Sequence, residues 1–215
     1  MAAPLVTVRG EAQLEGPPDL ATLTCTVLRH GPTLDGVRSE LGAASGRLSE
    51  LLAPFGPVLE RTSTSGLHVS PVLGRSETKI KGYRGSFTTE LIVSDFAGLS
   101  DLVYALAPLG DSQLDGPFWS LRPDNPLHRQ VRLAAIADAR RRADDYALAF
   151  EAHVVDLVEV SDTELGLSGG RSMRTFSLEA SADGQPEFDF QPPTQTVSGQ
   201  VTVRFTLSQP DLAAS

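Results

Sequence analysis

The sequence contains one pentapeptide that could mark a nucleophile. Gly166-Leu167-Ser168-Gly169-Gly170 fits the G-x-S-x-G pattern, in which a serine sits on a sharp turn between a buried strand and a helix. That chemistry needs an apolar strand before the turn, a helix after it and a separate loop of oxyanion donors. Here the flanks are polar, Arg171–Gly184 shows no helical period, and no HGGG-like loop occurs anywhere in the chain. Short Gly/Ser motifs recur by chance, so Ser168 is not assigned a catalytic role.

The other reactive side chains give no constellation either. Cys25 is the only cysteine. It falls in an alternating apolar run, where a thiol packs as a small hydrophobe and does not act as a nucleophile. His30, His68, His128 and His153 are scattered, and none forms the close pairs that zinc sites use. Glu11, Glu60 and Glu90 are carboxylates on predicted strands, with no spacing that pairs two of them for acid–base work. Gly74, Gly82 and Gly85 are too sparse for a dinucleotide loop. Arg140-Arg141-Arg142 precedes Asp144 and Asp145, so the pairs Arg140–Asp144 and Arg141–Asp145 are expected on a solvated helix face. Catalytic residues, cofactor-binding residues and metal ligands are therefore read as none, and no cofactor is expected.

The elements that would position such groups follow from periodicity. Leu5–Glu15 alternates, breaks at Gly16-Pro17-Pro18-Asp19, and resumes over Leu20–Arg29 through Ala21, Leu23, Cys25 and Val27. Period two predicts two half-buried strands, and their adjacency predicts a hairpin. From Thr33 to Phe55 the apolar spacing changes to three and four, predicting a helix with Thr33 as N-cap. Val58–Leu73 and Ile80–Ser94 read as strands. Asp95 caps a short helix over Phe96–Ala107, and Gln113–Arg122 reads as another strand.

The longest predicted helix spans Pro126–Glu151, with Asn125 at its N-cap and proline at its first position. Its stripe includes Ala135, Ala139, Ala143 and Ala147, and side chains this small bring the helix axis close to whatever it covers. Val154–Val160 and Val197–Leu207 are strands. Residues 163–196 between them are rich in Gly, Ser, Pro and Gln and read as a long insertion. The pattern predicts an α+β fold: a mixed or mostly antiparallel sheet with about three helices packed on one face, in a single domain over 1–215.

The chain has 215 residues and a formal net charge of −9. That sign opposes binding to nucleic acid, which needs cations against phosphate, and to anionic membrane surfaces. No apolar run approaches the ~20 residues that span a bilayer, and the N-terminus has no signal-peptide pattern. No nucleic acid and no membrane are expected as partners, and a cytoplasmic location is the expectation.

Four ordered blocks carry a resemblance. They are Val6-Thr7-Val8-Arg9-Gly10-Glu11 followed by Pro18-Asp19-Leu20-Ala21; Gly82-Tyr83-Arg84 entering the strand Phe87–Val93; the alanine ladder leading into Val154–Val160; and the closing Val201-Thr202-Val203-Arg204-Phe205. Together they resemble the SIMPL-domain family, a domain of unknown function. The resemblance implies no transferable catalytic residues. It implies a non-enzymatic scaffold, a homo-oligomer or a binder of a protein partner, with a loose link to stress. The alternative is a small-molecule binder or undetected hydrolase, with a pocket between sheet and loop lined by Tyr83, Phe118 or Trp119.

Overall fold

A computed structural model describes residues 3–74, 79–162 and 189–209. Seven strands and three helices follow the chain in the order β1 (Leu5–Gly16), β2 (Leu20–Gly31), α1 (Leu34–Leu52), β3 (Leu59–Leu73), β4 (Ile80–Val93), α2 (Leu99–Leu106), β5 (Ser112–Ser120), α3 (Pro126–Ala149), β6 (Val154–Asp162) and β7 (Gln195–Leu207). The class is α+β, and every strand pair is antiparallel. The strands divide between two sheets, one ordered β1-β7-β6 and one ordered β3-β4-β2-β5. Two compact units result. One comprises Met1–Pro17, Leu121–Arg171 and Thr194–Ser215, and the other Pro18–Ser120 and Ser172–Pro193. The long insertion expected over 163–196 lies largely outside the described residues, as does the G-x-S-x-G stretch around Ser168.

The expected β1–β2 hairpin does not form. β1 pairs along its whole length with β7, from Leu5 opposite Thr206 to Gly16 opposite Gln195. β2 instead lies between β4 and β5. Alternation shows which side chains of a strand avoid water but carries no information about which edge is paired. Pro17 and Pro18 end β1 and start a new unit, where a two-residue hairpin would have turned the chain back.

In the larger sheet, Ala21, Leu23, Cys25 and Val27 of β2 and Phe87, Leu91 and Val93 of β4 point to one side. Helix α1 covers them with Val37, Leu41, Ala44 and Leu48, and α2 adds Leu99, Leu102 and Leu106. Both predicted caps act here: Thr33 accepts from the Gly36 amide at 3.2 Å, and Asp95 accepts from the Ala97 amide at 3.1 Å. Gly85 sits directly beneath Val37 and Leu41, so its role is packing.

In the smaller sheet, α3 lies across β1 and β7. Asn125 caps it, accepting from the Leu127 amide at 2.8 Å. Ala135, Ala139 and Ala143 pack on Val8, Val201 and Val203, and all three alanines are buried. The helix sits so close that a Cβ on Gly10 would lie 2.5 Å from the Ala139 nitrogen and 2.7 Å from its Cβ. Ala139→Leu overpacks this seam, and a loss of about 1–3 kcal/mol is expected in denaturant titrations. An unchanged midpoint would mean that the stripe is not in contact with the sheet.

Candidate functional site

The first polar arrangement centres on Asp138, which sits beside the alanine stripe and is 8% exposed. One carboxylate oxygen, Oδ2, accepts the Glu11 amide of β1 at 3.0 Å and faces Arg142 Nε at 2.9 Å. The other accepts from Arg141. The Glu11 N–H is the largest influence and holds the carboxyl below the usual carboxylate range. Burial pushes the other way, and Arg142 and Arg141 add to the lowering. The expected pairs Arg140–Asp144 and Arg141–Asp145 are not the ones made. Among the described residues, the ion pairs of the arginine run go to Asp138. The physical reason is direction and burial. An acid N-terminal to its cations at i+3 and i+4 is the favoured orientation, and this acid is already fixed to β1. The cluster ties helix to strand and presents no reacting atom.

Because the folded carboxyl titrates lower than in the unfolded chain, its stabilising effect is complete above the unfolded carboxylate range. It is lost as pH falls through the folded value. Thermal unfolding followed on acidification should therefore steepen below about pH 4. Asp138→Asn is expected to lower stability at neutral pH and to flatten that acid limb. An unchanged acid limb in the variant would remove Asp138 from this role.

The second arrangement is apolar and lies on β6. Among the described residues this strand is an edge of its sheet, hydrogen-bonded to β7 on one side only. Leu157 and Val160 stand opposite Phe205 and Val203, so they share the face that α3 covers over β7. Yet they are 60% and 51% exposed, because α3 lies over β1 and β7 and leaves β6 bare. Val155 and Val158 are also about half exposed. On α3, Leu133 and Ile136 are exposed too. They lie roughly 140–160° around the helix from Asp138. The result is an apolar strip along β6. Its far face is different: there Arg204 bridges Glu159 of β6 at 3.1 Å and donates to Thr7 of β1 at 3.3 Å.

The remaining sequence candidates are dispersed. Cys25 is buried, and burial pushes its thiol up. His30 and His68 are exposed on β2 and β3. His128 meets the Arg122 carbonyl at 3.0 Å, and His153 begins the turn into β6. Glu11 pairs with Arg9 at 3.0 Å on a solvated strand face. Among the described residues no group of three His, Cys, Asp or Glu is placed to hold a metal ion. The three aromatics named for a pocket do not converge. Trp119 packs edge-on to Phe96, with ring centroids 4.8 Å apart, and both lean on the core with Tyr83, whereas Phe118 is half exposed. An open cleft of about 380 Å³ occurs elsewhere, between Leu5, Val6, Tyr146, Phe150 and Leu207. It gathers no titratable pair. The apolar strip on β6 was the feature sequence reading missed. Its signal was present in Val155, Leu157, Val158 and Val160, but the pattern could not show that α3 would stop short of them.

Among the described residues no helix is long and apolar enough to cross a membrane. No curated protein matches the chain significantly. Solved structures give distant likenesses. A hydantoinase/carbamoylase family amidase from Burkholderia ambifaria is 17% identical, with 52% of this chain and 29% of that one covered and a TM-score of 0.30. The chain thus spans under a third of that amidase. An unknown protein from Galdieria sulphuraria is 13% identical over 86% of this chain and 81% of its own, with a TM-score of 0.20. An uncharacterized conserved protein from Listeria innocua is 10% identical over 93% and 92%, with a TM-score of 0.22. The sequence profile of the SIMPL family, described as a protein of unknown function (DUF541), matches residues 6–205. That span takes in both sheets and all three helices, and the chain belongs to the SIMPL family.

Proposed function

We propose that this protein acts by binding and not by catalysis, and that copies of it associate through β6. The observation that carries the reading is the bare edge strand. Among the described residues, the nine of Val154–Asp162 present an unpaired backbone edge together with the exposed side chains of Val155, Leu157, Val158 and Val160. Edge strands of this kind template pairing unless charge, proline or a covering element blunts them. β6 contains no proline, glycine or lysine; its charges are the carboxylates Asp156, Glu159 and Asp162, of which Glu159 is paired with Arg204. A contiguous apolar strip rimmed by polar groups marks an interaction surface. Among the described residues the reactive side chains are dispersed over both units, which favours a scaffold in this reading.

Light scattering across a wide concentration range tests the reading. The expected result is a mass above the 22.9 kDa of one chain that rises with concentration. Leu157→Lys with Val160→Lys should return the protein to the single-chain mass while the far-UV circular dichroism is retained. A wild-type mass fixed at one chain throughout would overturn the proposal.

A further inference from the structure

We infer that the face of the four-stranded sheet turned away from α1 binds a phosphoryl anion, that of inorganic phosphate or a phosphomonoester, on Arg84 with His30, His68, Ser70 and Ser86. This site is independent of association through β6, which belongs to the other sheet. Gly85 lies beneath Val37 and Leu41 of α1, Val27 and Phe87 are buried, and Val69 packs on the same core. Side chains alternate along a strand, so the residues next to these point away from α1. Register then brings them together. His30 of β2 stands opposite Arg84 of β4, and Arg84 in turn stands opposite Ser70 of β3. Two residues along, Ser86 stands opposite His68. No bulge interrupts either ladder at these positions. The group covers three strands, about 10 Å across, and one two-residue step, about 7 Å along.

Arg84, His30 and His68 are exposed, and none makes an ion pair among the described residues. Two basic side chains directly opposite one another weaken a sheet unless an opposite charge joins them. The neighbouring strand positions supply none. On β4 the first carboxylate facing this way is Glu90, about 20 Å along the strand from Arg84. Asp111 adjoins Leu28 through its carbonyl, across β2 from β4. A chain with 27 acidic and 18 basic residues thus keeps one part of one face basic. An anion from solution supplies the charge that joins Arg84 to His30.

The donor set selects the kind of anion. The planar fork of arginine takes two oxygens of a phosphate at once. Imidazole N–H and serine hydroxyl groups donate to the remaining oxygens. Donors arriving from three strands suit a tetrahedral anion, whereas a planar carboxylate would engage the fork alone. The face is open, so a phosphate carrying an organic substituent has room for it.

Titration of the full chain with inorganic phosphate at constant ionic strength tests this, followed by calorimetry and by the imidazole NMR signals. The expected result is saturable binding with Kd of about 1 mM or tighter, with the His30 and His68 signals moving together and those of His128 and His153 still. Arg84→Gln should weaken binding at least about tenfold. Lys81→Gln removes the same charge from the opposite face of β4 and should leave Kd unchanged. Should Arg84→Gln misfold by far-UV circular dichroism, Arg84→Lys serves in its place, and it must also bind more weakly because the fork is lost. Glycerol phosphate that binds as well as phosphate identifies a phosphomonoester as the source, and its exclusion identifies the free anion. Signals that respond to phosphate no more than to chloride would overturn the site. So would acetate binding as tightly as phosphate, or Lys81→Gln weakening binding as much as Arg84→Gln.

Discussion

Gly10→Ala is expected to destabilise the unit built on β1, β7 and α3 by more than about 3 kcal/mol, above the usual range for overpacking. The reason is the backbone nature of the obstacle. A methyl group there would meet the carbonyl oxygen of Ala135, the nitrogen of Ala139 at 2.5 Å and its Cβ at 2.7 Å. A side chain can rotate away from an intruding methyl, but a helix backbone can only translate as a rod. Translating α3 would lift Ala135, Ala139 and Ala143 off Val8, Val201 and Val203 together and pull Asp138 from the Glu11 amide. At about 2–4 °C per kcal/mol, Tm should fall by more than ~6 °C. A control lies within the same chain. Gly42 is an exposed residue of α1, and a methyl group added to it would meet nothing within 4 Å. Its change to alanine should stabilise by up to about 1 kcal/mol through helix propensity. If both alanines shift Tm alike, the close approach at Gly10 does not exist in solution.

Leu91→Ala is expected to cost about 2–5 kcal/mol in the other unit. Leu91 is wholly buried on β4. It stands opposite Leu23 of β2 and Thr62 of β3, in the central pair of the four-stranded sheet under α1. Two sheet neighbours and a helix constrain this position, so the site cannot collapse around the void, which places the expected loss in the upper half of the range. Hydrogen exchange is the decisive readout, because it locates the loss: amides of β2 and β4 should exchange faster. A change of under ~1 kcal/mol would show that the core relaxes freely.

The sequence made the elements legible because each apolar side chain must leave water at the period of its own backbone. Ala21, Leu23, Cys25 and Val27 alternate and are all buried; Ala135, Ala139, Ala143 and Ala147 recur by four and are all buried. Thr33, Asp95 and Asn125 announced helix starts because an N-cap needs a short acceptor side chain. Partnership was not legible. β1 and β2 are separated by three residues, yet β1 joins a strand near the far end of the chain. Nothing in a period of two distinguishes near from distant pairing. Asp138 escaped notice for a related reason. Its partners Arg141 and Arg142 are readable from spacing alone, but its burial is set by the Glu11 amide, which only the fold brings there. The bare strip on β6 likewise depends on where α3 ends its coverage.

The seam between β1 and β7 has a consequence for synthesis. On the ribosome β1 (Leu5–Gly16) emerges well before its mate β7 (Gln195–Leu207), so β1 must wait unpaired while every element between them is made. Pro18–Ser120, by contrast, is contiguous and holds all four strands of its own sheet. Once that stretch has collapsed, it shortens the tether between the two waiting ends and lowers the entropic cost of closing them. Nascent chains halted before β7 should therefore carry one finished unit and one orphaned strand, the form in which a chaperone would meet them.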